Sequence, residues 1–306
     1  MQDFQQISSL EFLEFFAKNL VEGFITGKHK SPYHGFSVEF AEHRIYNRGD
    51  STRHVDWKLF GRTNKLFIKR FEEETNLRCR VIIDTSSSMS YPVRRNLSIQ
   101  SPNKLLYSIY STASLMNLFK KQRDAVGLSL FSDKVHFHSD TKTTNKHHIS
   151  LKNEMLNLLS VNQNEKTTSI VESIHDIASR IHRRSLVFLF TDFLGYYDNL
   201  DEIFLALQHL KFNKHELVLF HLFDKSTEID FEFDNLPMKF IDLENNEEIR
   251  LNPVDVRNEY INNTKLFFND LKVKCLQHKI DLVEVNINES MDKILHSYLL
   301  KRQKMF

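Results

Sequence analysis

The segment Asp84-Thr85-Ser86-Ser87-Ser88-Met89 places hydroxyls two and four residues after a carboxylate. Neutral hydroxyls with a few carboxylates form a hard, oxygen-only donor set, which suits Mg²⁺ or Mn²⁺ over zinc. Thr168, just ahead of a stripe of isoleucines, offers a third hydroxyl, and Asp192, closing the run SLVFLFTD, offers a second carboxylate. A site of this composition carries little charge and leaves a coordination position open. An acidic side chain of another protein can fill that position, so that the metal bridges two chains. The competing reading makes DTSSSMS a polar turn that caps a helix, a place Ser and Asp favour. Asp192 and Thr168 at matching places along the chain weigh toward the metal site. Asp224 also ends an apolar run, without hydroxyl neighbours, and reads as an ordinary strand-terminal acid.

These residues need strands and helices to bring them together. RCRVIID (78–84), AVGLSLFS (125–132), SLVFLFTD (185–192), HELVLFHLFD (215–224) and IDLVEVNI (280–287) read as strands, with KVHFHSD (134–140) a weaker edge strand. Between them, Leu105, Ile109, Ala113 and Met116 recur at helical spacing behind Ser101-Pro102, which sets a helix start with proline first. Ile170, Ile174, Ile177 and Ile181 form a second helical stripe, and helices are expected over 149–160, 200–211, 254–278 and 290–304. Residues 226–252 lack helical period and look like a small β excursion. Unbroken apolar strands alternating with helices predict an α/β fold, a doubly wound, mostly parallel sheet covered on both faces. In the strand order 3-2-1-4-5-6 the strands ending at Asp84 and Asp192 are neighbours at the reversal point, where such sheets bind ligands. Residues 1–77 differ: an amphipathic helix over 9–26 (Leu13, Phe16, Leu20, Phe24) that packs on the body, then a turn-rich charged stretch. The expected organisation is 1–77 as a docked N-terminal segment and 78–306 as the main domain.

Composition removes several functions. The 306 residues balance 41 Lys and Arg against 40 Asp and Glu, a net charge of +1, which gives no electrostatic reason to expect nucleic acid or a membrane surface as partner. The seven glycines are too scattered for a phosphate-cradling GxGxxG or GxxxxGK loop. Cys79 and Cys275, neither in a CxxC pair, read as small core hydrophobes in a reducing compartment. No apolar run approaches the roughly 18 residues of a membrane helix. The acidic N-terminus does not read as a signal peptide, so the expected location is cytoplasmic.

Asp84-x-Ser86-x-Ser88, a threonine opening a later helix, and an aspartate after LVFLFT resemble the metal-ion-dependent adhesion site of von Willebrand factor A domains. GLSLFS (127–132) resembles the second strand of that fold, and the resemblance covers residues 78–306. It implies Asp84, Ser86, Ser88, Thr168 and Asp192 as the ligand set. Relatives have glycine before the helix-opening threonine, whereas Thr167 stands there in this chain, which leaves Thr167 and Thr168 as alternatives. Upstream, Glu39-Phe40, Arg44, Tyr46, Gly49-Asp50, Arg53, Asp56-Trp57, Arg62 and Lys69 resemble the signature of the uncharacterised bacterial DUF58 family, typically paired with AAA+ ATPases of the MoxR group. That resemblance implies an adaptor working with such an ATPase, or with a client protein that supplies an Asp or Glu to the metal, in protein maturation or remodelling. Arg44, Arg53 and Arg62 read either as a docking surface for a partner's carboxylates or, the preferred reading, as an ion-pair network with Asp50 and Asp56 around Trp57.

Enzymatic readings fare less well on the residues. A phosphoryl-transfer enzyme with an aspartyl nucleophile wants a second acid where Ser86 stands. GLSLF (127–131) lacks the final glycine of a nucleophile elbow. His136/His138 and His147-His148 lack a partner group for zinc and read as surface or edge-strand residues. What remains is a Mg²⁺-dependent protein-interaction module against a divalent-metal phosphohydrolase using the same crevice. No general base, nucleophile or phosphate clamp is identifiable, so the chain is not expected to be an enzyme.

Overall fold

The computed structural model describes residues 9–26, 42–46, 55, 57–70, 77–94, 96–160, 170–193, 200–243 and 247–305. They fall into two compact units, Met1–Phe24 with Leu77–Phe306, and Ile25–Asn76. In the larger unit the apolar runs become strands β3 (Arg78–Asp84), β4 (Ala125–Phe131), β5 (Val135–His138), β6 (Leu186–Thr191), β7 (Glu216–Phe223) and β10 (Asp281–Asn286) of one sheet. Their order is β10-β7-β6-β3-β4-β5, and every pair is parallel but β4–β5, which is antiparallel. Counted along the chain this is 3-2-1-4-5-6, so the winding reverses between β3 and β6, where Ile83 lies opposite Phe190.

Alternation along β6 shows how both faces are filled. Val187 and Leu189 point into a core with Ile170, Ile174 and Ile177 of α5 (Ile170–Arg180), Leu207 and Leu210 of α6 (Leu200–Phe212), and Phe267 and Leu271 of α7 (Pro253–Gln277). Phe188 points to the other face, stacking on Phe119 of α3 (Lys104–Lys121) and Phe220, with Tyr298 of α8 (Asp292–Met305) 6.1 Å away. The fold is therefore α/β, with a mostly parallel sheet between helical layers. Among the described residues no helix is long and apolar enough to cross a membrane.

α3 is buried on all sides from Lys104 to Met116, more than its one expected apolar face. Against it lies α1 (Leu10–Thr26), whose Phe16 ring meets Tyr110 edge-on at 5.1 Å and whose Glu14 pairs with Lys152 of α4 (Asn145–Ser160) at 2.9 Å. The face of α1 is centred on Leu13, Ala17 and Val21, all fully buried, with the expected Phe16, Leu20 and Phe24 half-buried beside them.

Three local expectations change. α3 begins at Lys104, because Asn103 caps it by accepting from the Leu106 amide at 2.8 Å; Pro102 lies ahead of the cap. α4 starts at Asn145, one turn before 149, and its first turn buries His148, which is not a surface residue. The segment after β7 opens with a π-helical turn, Lys225–Ile229, before the antiparallel hairpin β8 (Met238–Ile241) and β9 (Glu248–Leu251).

Arg80 explains a glycine. Its buried guanidinium crosses from β3 over β4 and donates to the carbonyls of Leu128 (3.1 Å) and Ser139 (2.6 Å). A Cβ at Gly127 would lie 2.7 Å from the guanidinium carbon, so only glycine admits the arginine there. In the smaller unit, β1 (Glu42–Ile45) pairs antiparallel with β2 (Phe67–Arg70), and α2 (Trp57–Thr63) lies between them in sequence.

Candidate functional site

β3 and β6 end side by side, which brings Asp84 and Asp192 to the same end of the sheet. Asp84 is the last residue of β3, and both of its oxygens are engaged. Oδ1 accepts from the Ser86 amide (2.9 Å) and Oδ2 from the Thr191 hydroxyl (2.8 Å). The chain then winds a single 3₁₀ turn, Ser87–Ser90, with Ser86 at its N-cap position but no side-chain cap. The hydroxyls of Ser86 and Ser88 instead lie 3.0 Å from each other, and Ser88 donates to Asp192 Oδ1 at 3.2 Å. A chain of oxygens thus runs from Ser86 through Ser88 to Asp192, and Asp84 joins it at the Ser86 amide. All four side chains are buried.

Burial, then the neighbouring charge of Asp192, pushes the Asp84 carboxyl up to about 7 against the hydrogen bonds that favour its ionised form. Two facing carboxylates in a low-dielectric pocket make a place where positive charge is favoured. Among the described residues no three of His, Cys, Asp and Glu gather to hold a metal, so hydroxyls must supply part of any donor set here.

Positive charge is already present in a form the sequence reading missed. Lys104, the first residue of α3, is completely buried, and its Nζ pairs with Asp192 Oδ2 at 2.8 Å and Glu228 Oε1 at 2.5 Å. Burial alone would lower the ammonium's pKa, but Asp192 and Glu228 together outweigh it and hold the group above its ordinary value. Glu228 sits in the π-helical turn, its other oxygen accepting from the Asp224 amide at 2.7 Å. Lys104 Nζ also lies 5.5 Å from the centre of the Tyr91 ring. One signal was available in the sequence: a lysine opening a helix opposes the helix dipole and calls for a compensating anion.

Behind Asp192 the backbone turns sharply. Phe193 has φ 50°, a left-handed conformation uncommon for a bulky residue, and its buried ring stacks on His221 of β7. His221 Nε2 donates to the Asp192 carbonyl at 3.0 Å, and burial pulls its pKa down to about 4, so the imidazole is neutral. Both contacts fix the direction in which the Asp192 carboxylate leaves the strand.

Several of the remaining expected residues, Thr167, Thr168, Asp50, Arg53 and Asp56, lie outside the described residues. Arg44 stands on β1, Arg62 is exposed at the end of α2, and Trp57 is exposed with its ring edge-on to Phe60 at 6.2 Å. Asp224 does have hydroxyl neighbours: its Oδ1 accepts from the Ser226 amide (3.0 Å), the Ser226 hydroxyl (2.6 Å) and the Thr227 amide (3.4 Å), capping the π turn. Arg94 reaches its other oxygen at 3.5 Å. His136 and His138 find hydroxyl partners in Ser132 (2.5 Å) and Ser129 (2.9 Å).

The family described as "Protein of unknown function DUF58" matches residues 42–266. Uncharacterised proteins of Mycobacterium bovis and Mycobacterium tuberculosis are 27% identical over 84 residues, 28% of this chain and 26% of theirs. The match thus spans about a quarter of the length of these curated relatives. Similar solved structures include the conserved hypothetical protein BatB from Bacteroides thetaiotaomicron (14% identity, TM-score 0.43, 75% of this chain and 100% of that one). An aerotolerance-related membrane protein from Bacteroides fragilis is also similar (14%, TM-score 0.40, 72% and 98%).

Proposed function

The chain belongs to the DUF58 family, and on that footing we propose that it is a Mg²⁺-dependent protein-interaction module of von Willebrand factor A type. The observation that carries this reading is the buried oxygen cluster of Asp84, Ser86, Ser88 and Asp192 at the ends of the two central strands. Its donors are carboxylates and hydroxyls without nitrogen or sulfur, a set that fits Mg²⁺ or Mn²⁺. These four residues would hold the metal, with Thr167 or Thr168 as a further hydroxyl on the resemblance to the adhesion site. When bound, the ion supplies a hard positive centre able to accept a partner's carboxylate.

The chain's own residues prepare for that. Asp84 and Asp192 bring only two negative charges, and the serines none, so a divalent ion held here keeps appetite for another anion. The Ser86 amide and Thr191 lock the Asp84 carboxylate, and Ser88 locks that of Asp192, so little side-chain freedom remains to be lost on binding. The proposed partner is a MoxR-type AAA+ ATPase, or a client it remodels, presenting an Asp or Glu. The phosphohydrolase reading is the weaker one. Lys104, which pairs with Asp192 at the crevice, is wholly buried between two carboxylates and is not placed to clamp a substrate phosphate.

The test is capture of partners from the native host's lysate on tagged protein, with Mg²⁺ or with EDTA, and with Ser86→Ala as a second bait. The expected result is an ATPase of the MoxR group, or its client, retained only with Mg²⁺ and an intact Ser86, while Ser86→Ala keeps the wild-type circular dichroism. Identical catches in every arm would remove the crevice as the binding surface.

A further inference from the structure

Lys104 is a fully buried charge, and neither the sheet nor the helix it opens calls for a cation there. An ammonium at a helix N-terminus opposes the dipole of the helix, and burial removes it from water. Both costs are offset by Asp192 and Glu228, 88 and 124 residues further along the chain. One of those two carboxylates belongs to the oxygen cluster and the other does not.

We propose that Lys104 is a built-in competitor for the crevice, its ammonium holding Asp192 in an ion pair that a divalent cation must weaken in order to bind. This inference rests on the metal reading of the cluster. An ammonium and a Mg²⁺ ion drawing on one buried carboxylate repel each other, and burial leaves that repulsion weakly screened. Glu228 makes the exchange feasible. It gives the lysine a second anchor, so Asp192 can be yielded without leaving an unpaired buried charge. Lys104 thereby sets how much divalent ion is needed to load the site, while Glu228 sets how firmly the lysine holds on. Because Glu228 sits in the Lys225–Ile229 turn, a shift of the ammonium toward it is felt in that turn.

The test is calorimetric titration of the full chain with MnCl₂, each variant checked by circular dichroism. Lys104→Met combined with Glu228→Gln removes the competitor together with its second counter-charge, which keeps the net charge and leaves no unpaired Glu228 carboxylate. Manganese affinity is expected to rise at least about tenfold over wild type, and adding Ser86→Ala in that background is expected to abolish it. Glu228→Gln alone is expected to act in the opposite direction, since the lysine then has only Asp192 to hold. A merely structural role for Lys104 does not predict that reversal of sign. Equal or weaker binding by the double variant overturns the competitor while leaving the metal reading in place. No binding by wild type or by the double variant overturns both.

Discussion

Asp84, Ser86, Ser88 and Asp192 were legible as a group because three of them share one short segment and the fourth ends a second apolar run. The strand order then makes them neighbours. Lys104, Glu228 and Thr191 were not legible as members. Nothing local marks a lysine in the first turn of a helix as paired with acids about a hundred residues away, and the dipole conflict is a weak hint on its own. Thr191 was hidden by its place at the end of an apolar strand, where a threonine reads as a filler. At this scale Arg80 and Gly127 offer a clean test of packing. The guanidinium is the end of a flexible side chain, but it is buried and tied to two carbonyls, so it cannot swing aside without breaking them. Gly127→Ala is expected to cost about 1–3 kcal/mol, read from urea unfolding. A variant that also carries Arg80→Met removes the crowding atoms and is expected to regain part of that loss. Unchanged stability in Gly127→Ala alone would show that the arginine relocates freely.

The strands were the most readable elements, since buried parallel strands appear as unbroken apolar runs bounded by polar residues. Helix starts were less readable. The proline at 102 drew the start of α3 forward, whereas the cap belongs to Asn103. α4 carries a polar first turn, so its apolar periodicity begins after the helix itself has begun. The π turn after β7 has five residues and no periodic signal at all. For α1 the apolar pattern was visible but its centre was misplaced, because the large phenylalanines flank a seam of smaller side chains, Leu13, Ala17 and Val21. Leu13→Ala, which empties a fully buried position in that seam, is expected to destabilise by about 2–5 kcal/mol, measured by thermal or urea unfolding. A loss below about 0.5 kcal/mol would mean that α1 contributes little to the body.

At the scale of the whole molecule, two histidines, one buried and one half-buried, make acid a source of instability. Burial, helped by Lys152, Lys120 and His147, pulls His148 down to about 4; burial, then Arg80 and Arg180, does the same for His138. Both imidazoles titrate near 6.5 when the chain is unfolded. Between those values each of these histidines binds more protons in the unfolded state than in the folded one, so its contribution to stability falls as pH drops from about 6.5 toward 4. Asp84, pushed up to about 7, contributes in the opposite direction. The slope approaches about 1.4 kcal/mol per pH unit for each histidine. Urea midpoints at pH 7, 5.5 and 4.5 measure it, and His148→Gln is expected to flatten the curve. An unchanged slope in that variant would assign the acid sensitivity elsewhere. The placement of α1 has a further consequence, in the order of synthesis. Its Glu14 waits for Lys152, 138 residues later, and its Phe16 for Tyr110. At roughly 5–20 residues per second on the ribosome, α1 spends on the order of ten seconds with its seam unsatisfied before Lys152 is made. α1 is therefore made well before the surface it packs on, and its apolar seam stays uncovered in the nascent chain until α3 and α4 have emerged.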